Sequence, residues 1–144
     1  MVSAFATWPY TYLRFAAPFG FAARVYVPLV HDGFVPGLNE SFGLELGADI
    51  AFTTTGNVGP FLVIPVETRW NWHLLSMLEG YLKLGVGVEL FKENICGITS
   101  CFTRFGGAPA FVAALGTVMN LTPAIALRIE AGYPWLKIGL GFPL

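Results

Sequence analysis

Between Leu78 and Leu90 the chain alternates with a period of two. Leu78, Leu82, Leu84, Val86, Val88 and Leu90 share one parity, broken only by Gly80; Glu79, Tyr81, Lys83, Gly85, Gly87 and Glu89 share the other. A strand turns alternate side chains to opposite faces, so this stretch predicts a strand with one apolar face and one face of charges and glycines. The pattern recurs in Phe19 to Val30, Ser41 to Thr53, Phe61 to Leu74, Ala124 to Tyr133 and Leu136 to Phe142. Phe105 to Met119 is apolar on both parities and rich in Gly and Ala. Thr11 to Phe15, bracketed by Pro9 and Pro18, is a poorly marked first strand. Turn signals fall at 31–40, 54–59 and 120–123, and Phe91 to Arg104 reads as the longest polar connection. Seven clear strands plus the weak one predict eight, because antiparallel barrel closure favours an even number. No linker divides the chain, so 1–144 is expected to form a single domain.

The charges follow the same parity rule. Arg24, Glu45, Asp49, Glu67, Arg69, Glu79, Lys83, Glu89, Arg128, Glu130 and Lys137 all stand opposite the large apolar residues of their strands. Two closed barrels fit this: a soluble one with an apolar core, and a membrane one with apolar residues facing lipid and charges meeting inside. Composition bears on the choice. Hydrophobic residues make up 55% of the chain and charged ones 12%, against about 25% charged in ordinary soluble domains. The charged parity also carries Gly43, Gly47, Gly85, Gly87, Gly139 and Gly141. A narrow lumen filled by side chains needs small residues beside long ones. Six acidic and five basic strand charges nearly cancel, as a buried network requires. Trp70, Trp72, Tyr133 and Trp135 lie near strand ends, where an interfacial aromatic belt is expected. The reading is therefore an all-β, closed antiparallel transmembrane barrel with an apolar outside and a charged, glycine-rich lumen. The alternatives are a soluble lipocalin-like barrel and a helical membrane protein spanning the uncharged run between Arg104 and Arg128.

Candidate chemistry is sparse. Cys96 and Cys101 lie five apart; a disulfide closing so short a loop is feasible and would imply an oxidising compartment, with two free thiols as the alternative. No zinc spacing is present, His31 and His73 stand apart, and no metal or cofactor is expected. A net charge of −1 gives no case for nucleic acid. The start, MVSAFATWPY, lacks the basic region of a signal peptide. No spacing suggests a catalytic triad, so a non-enzymatic protein is expected; a lipid-modifying enzyme dependent on His31 or Ser41 is a distant third reading.

The stretch NLTPAIALRIEAGY resembles the short periplasmic turn and following strand of small outer-membrane barrels of the OmpA and OmpX kind, and WLKIGLGFPL resembles their closing strand. Two features depart from that group: Pro143 and Leu144 follow the terminal aromatic, and the first strand is poorly marked; separately, the connection at His31–Glu40 is longer than a periplasmic turn should be. The resemblance implies eight strands, both termini on the periplasmic side, location in a bacterial outer membrane, and no shared catalytic residues. The lipid bilayer is the expected partner, with other envelope proteins as candidates. The expected role is structural, scaffolding or partner-binding, with the lumen plugged by side chains. The alternative is a narrow channel or carrier of small or apolar molecules, using lumen carboxylates or a lateral gap near Gly106–Gly107.

Overall fold

A computed structural model describes residues 1–9, 19–31, 34–35, 39–52, 58–96 and 101–143, with the backbone alone at 58–59, 93–96 and 101–102. Eight strands follow one another: β1 (Val2–Trp8), β2 (Phe19–Val30), β3 (Glu40–Phe52), β4 (Val58–Leu75), β5 (Leu78–Cys96), β6 (Cys101–Thr122), β7 (Ile125–Tyr133) and β8 (Leu136–Phe142). Each pairs antiparallel with its sequence neighbours, and β8 pairs with β1 to close the barrel. Closure removes both free edges of the sheet. Met1, the 31–39 connection, the Ser76–Met77 turn, the Pro123–Ala124 turn and Pro143 share one end, the termini end. The other connections share the far end.

The ladders fix the barrel's shape. Directly paired residues lead from Thr117 on β6 to Ile129, Ile138, Ala6, Phe21, Ile50, Leu62 and Leu90, and back onto β6 at Gly107, ten residues from the start. That stagger over eight strands corresponds to a tilt of about 40°. Each residue then climbs about 2.5 Å along the barrel axis. The shift is even, so the inward parity stays inward all the way round.

Alternation decides which way each residue faces. Leu84, Val86 and Val88 are exposed while Tyr81 and Lys83 between them and the termini end are buried. Hydrophobic residues dominate the outer wall: Phe21, Val27, Leu46, Val66, Val86, Phe111, Leu115 and Ile138 are all exposed. Such an outside is the inverse of a soluble barrel's.

Two expectations from the sequence are corrected, and one alternative is set aside. The first strand is Val2–Trp8, not Thr11–Phe15, which lies outside the described residues. Its inward Ser3, Phe5 and Thr7 are uncharged, so the parity signal of the other strands was missing. Most of Phe91–Arg104 is strand, because β5 and β6 pair continuously up to Cys96 and Cys101. The uncharged run after Arg104 lies in β6 and β7, not a helix. β6 is apolar on both parities because its inward face is a wall of small residues. Tyr81 fills the space a side chain on Gly116 would take, and the Phe91 ring fills that of Gly106.

Candidate functional site

The lumen holds the chain's densest concentration of charge, and it is built strand by strand. β2 supplies Arg24, β3 Glu45 and Asp49, β4 Glu67 and Arg69, β5 Lys83, β7 Arg128 and Glu130, and β8 Lys137; all nine are buried. Glu45 is the hub, with Lys83 Nζ at 3.0 Å, Arg69 Nη1 at 3.1 Å and Arg128 Nη2 at 3.0 Å. Lys83 also reaches Glu130 at 2.9 Å and Glu67 at 3.2 Å. Arg24 pairs with Asp49 and, at 2.9 Å, with Glu67. Lys137 Nζ lies 2.9 Å from Asp49, and Arg128 lies 2.7 Å from Glu130. Five cations thus face four carboxylates, and each charge has a partner of opposite sign. Burying these groups is tolerable only because they are paired.

Uncharged side chains complete this tier, and of them sequence reasoning singled out only Ser41, for a catalytic reading. Arg69 lies between the rings of Tyr81 and Tyr26, 4.1 and 4.6 Å from their centroids. Tyr81 Oη donates to Glu130 at 2.8 Å. Asn71 Nδ2 donates to Tyr26 Oη at 2.8 Å and Ser41 Oγ at 3.1 Å. Arg128 Nη1 donates to Ser3 Oγ at 2.8 Å, tying β1 into the tier, and its guanidinium sits 4.8 Å above the Phe5 ring. The available signal was parity: Tyr26, Asn71 and Tyr81 share the inward side with Arg24, Arg69 and Lys83. The glycines make the room. A Cβ on Gly47 would strike Arg24 Cδ at 2.7 Å, and one on Gly85 would strike Glu67 Cγ at 2.8 Å.

Toward the far end the chemistry changes. Ala51, Phe61, Val63 and Trp135 form a buried apolar cluster, with Phe91 and Ala110 packed against it. The Phe61 and Trp135 rings lie 5.8 Å apart. Trp135 is therefore a correction: it was expected in the outward aromatic belt, but it is 2% exposed and faces the lumen. Its parity is that of Lys137, and parity overrides its place at a strand end. Trp70 and Trp72 face outward, with rings 5.5 Å apart, and Tyr133 is exposed. The lumen consequently has two tiers, a charged one toward the termini and an apolar one above it.

The remaining predicted residues lie apart from the network. Glu79 pairs with His73 at 3.3 Å at the termini end, where both are partly exposed. Glu89 lies on the inward parity near the apolar tier, opposite Val63 and Ala108, and is partly exposed. Cys96 and Cys101 stand opposite each other in the β5–β6 register, and the disulfide expected between them concerns side chains outside the described residues. Gly106 and Gly107 are paired to Phe91 and Leu90 on one side; on the other, β7 stops at Tyr133 opposite Ala113. No group of three or more metal-binding side chains is present among the described residues.

No protein-family model matches the chain, and no curated protein matches it. Among solved structures its fold is similar to that of the Yersinia pestis outer membrane protein Ail, determined in a phospholipid bilayer nanodisc. The TM-score is 0.52 at 12% sequence identity, over 98% of this chain and 97% of that one. The chain has the fold of an eight-stranded outer-membrane barrel. At that identity the likeness concerns the backbone path and carries no residue roles. What the arrangement does chemically follows from its own side chains: a paired, buried network ties six strands together across the barrel interior.

Proposed function

We propose that this protein is an integral barrel of the bacterial outer membrane, non-enzymatic, whose lumen is plugged and whose task is structural or partner-binding. The observation that carries the reading is the inversion of the wall: large apolar side chains outside, paired charges inside. The outward aromatics fall into two levels. Phe42, Trp72 and Phe142 mark one near the termini end, and Trp8, Phe19 and Tyr133 mark another toward the far end. From the ladder stagger these levels lie about 20–25 Å apart, the height of the apolar band of such barrels. The termini end would then face the periplasm. β4, β5 and β6 are the longest strands, at 18, 19 and 22 residues, and extend beyond the upper aromatic level. From that level upward Ile50 of β3 and Leu62, Leu90 and Phe105 of the projecting strands line an open groove of about 450 Å³, which supports a partner-contact role for this sheet.

Two measurements test the proposal. The purified chain refolded in detergent is expected to migrate differently before and after boiling, and to stay dispersed only when detergent is present; a monodisperse sample in plain buffer would refute the lipid-facing wall. In planar bilayers it is expected to show no stable conductance. A steady porin-sized current would refute the plug and favour the channel reading.

A further inference from the structure

The connection between β2 and β3 differs from the others at its end. Its neighbours there are two-residue turns at Ser76–Met77 and Pro123–Ala124, whereas it runs from His31 to Asn39. Glu40, which follows it, stands opposite Trp72, and Phe42 stands opposite Trp70, so Glu40 is on the outward side of the wall. A carboxylate there should be exposed, yet Glu40 is 1% exposed. Its own chain covers it. The backbone N–H groups of Phe34 and Val35 both donate to Glu40 Oε1 at 2.8 Å. The indole N–H of Trp70 donates to Oε2 at 2.6 Å. The Phe34 ring packs on Phe42, centroids 5.5 Å apart, and His73 N donates to Asn39 O at 2.9 Å. Phe34 and Val35 are therefore folded back against the outside of the barrel. Phe34 is 62% and Val35 42% exposed, beside Phe42 of the lower aromatic level and sharing Glu40 with Trp70.

This is the chemistry of a segment meeting a bilayer surface. In water such bonds bring only a modest net gain, because solvent competes for both the amides and the carboxylate. Internal satisfaction of those donors matters most where water thins out, at the boundary between headgroups and hydrocarbon, and a carboxylate on that wall is tolerable there only when its oxygens are occupied. The exposed pair is one aromatic and one aliphatic side chain, continuous with the apolar wall. We propose that Phe34 and Val35, in the connection between β2 and β3, form an interfacial strap: they insert at the boundary between headgroups and hydrocarbon of the leaflet on the termini side, and are fastened there by Glu40. The inference rests on the transmembrane reading above and adds a second membrane contact, made by a loop and not by a strand.

The test uses the full chain in vesicles of phosphatidylcholine and phosphatidylglycerol, with Cys96→Ser and Cys101→Ser removing the native thiols. A nitroxide is placed by Phe34→Cys and, in separate samples, by Val86→Cys on the middle of the wall and Ser76→Cys on a turn. Collision with oxygen against a water-soluble nickel chelate gives depth. The Phe34 label is expected between the other two, clearly oxygen-favoured. Adding Glu40→Ala is expected to move it to the Ser76 value, with a several-fold rise in nickel accessibility. If the Val86 label is in hydrocarbon but the Phe34 label matches Ser76, the strap is wrong while the barrel reading stands. If the Val86 label itself matches Ser76, the transmembrane reading has failed. Should Glu40→Ala not refold, Glu40→Gln keeps the shape without the charge and is expected to shift the label in the same direction. An unchanged Phe34 depth in the folded variant would overturn Glu40 as the fastening.

Discussion

The two tiers of the lumen fill one cylinder by opposite means. In the charged tier, six strands supply ionised side chains and β1 joins through Ser3. In the apolar tier, Ala51, Phe61, Val63 and Trp135 meet without a charge among them. Charged groups are directional and cannot change partners without leaving a charge alone in the interior. Apolar groups are held by volume and can slide or repack. A paired network therefore specifies which strand lies at which height, whereas the apolar tier mainly excludes water. Net stabilisation is the weaker argument for the charges, because well-packed apolar residues often serve as well or better.

Substitutions that treat the tiers unequally sharpen this contrast. Glu45→Ala should be the most damaging, since it leaves Arg69, Lys83 and Arg128 facing one another without the hub. A loss of about 3–5 kcal/mol is expected, read as a lower urea midpoint for the folded band on unboiled gels. Gly47→Ala comes next. Its Cβ would press on the Ala23 carbonyl oxygen and on Arg24 Cδ, and overpacking of this kind costs about 1–3 kcal/mol. Phe61→Leu, in the apolar tier, should lose only about 1–2 kcal/mol, because neighbours relax into the space. A loss in Phe61→Leu matching that of Glu45→Ala would erase the distinction between the tiers. Gly107→Ala is the quiet control: its Cβ would meet Leu90 Cδ2 at 3.4 Å, an ordinary contact. A change within about 0.5 kcal/mol is expected in the same unfolding assay.

Much of the fold was legible because one rule, alternation, governed nearly every strand. It placed Arg24, Glu45, Lys83 and Arg128 on one side of the wall without any knowledge of partners. Parity states which side a residue faces but not its height, so it could not separate the nine residues of the network from Glu79 at the rim or Glu89 near the apolar tier. That separation depends on the stagger of the ladders, which is a property of closure and is written in no single strand. Trp135 was misplaced by letting strand-end position outrank its shared parity with Lys137. β1 escaped because its inward Ser3, Phe5 and Thr7 carry no charge. Glu40 escaped for a different reason: an acidic residue beside a turn reads as solvated, and only the folded-back backbone of Phe34 and Val35 encloses it.

The hydrogen bond from Arg128 to Ser3 spans 125 residues of sequence. It crosses from the penultimate strand to the first, over the seam where the two ends of the sheet meet. No contact within a single hairpin records whether those two ends have met in step. A slip of one residue there would turn every side chain of the arriving strand to the wrong face, carrying Ser3 outward and leaving the guanidinium without its acceptor. The same arginine that anchors Glu45 thus works as a latch that engages only a correctly registered ring.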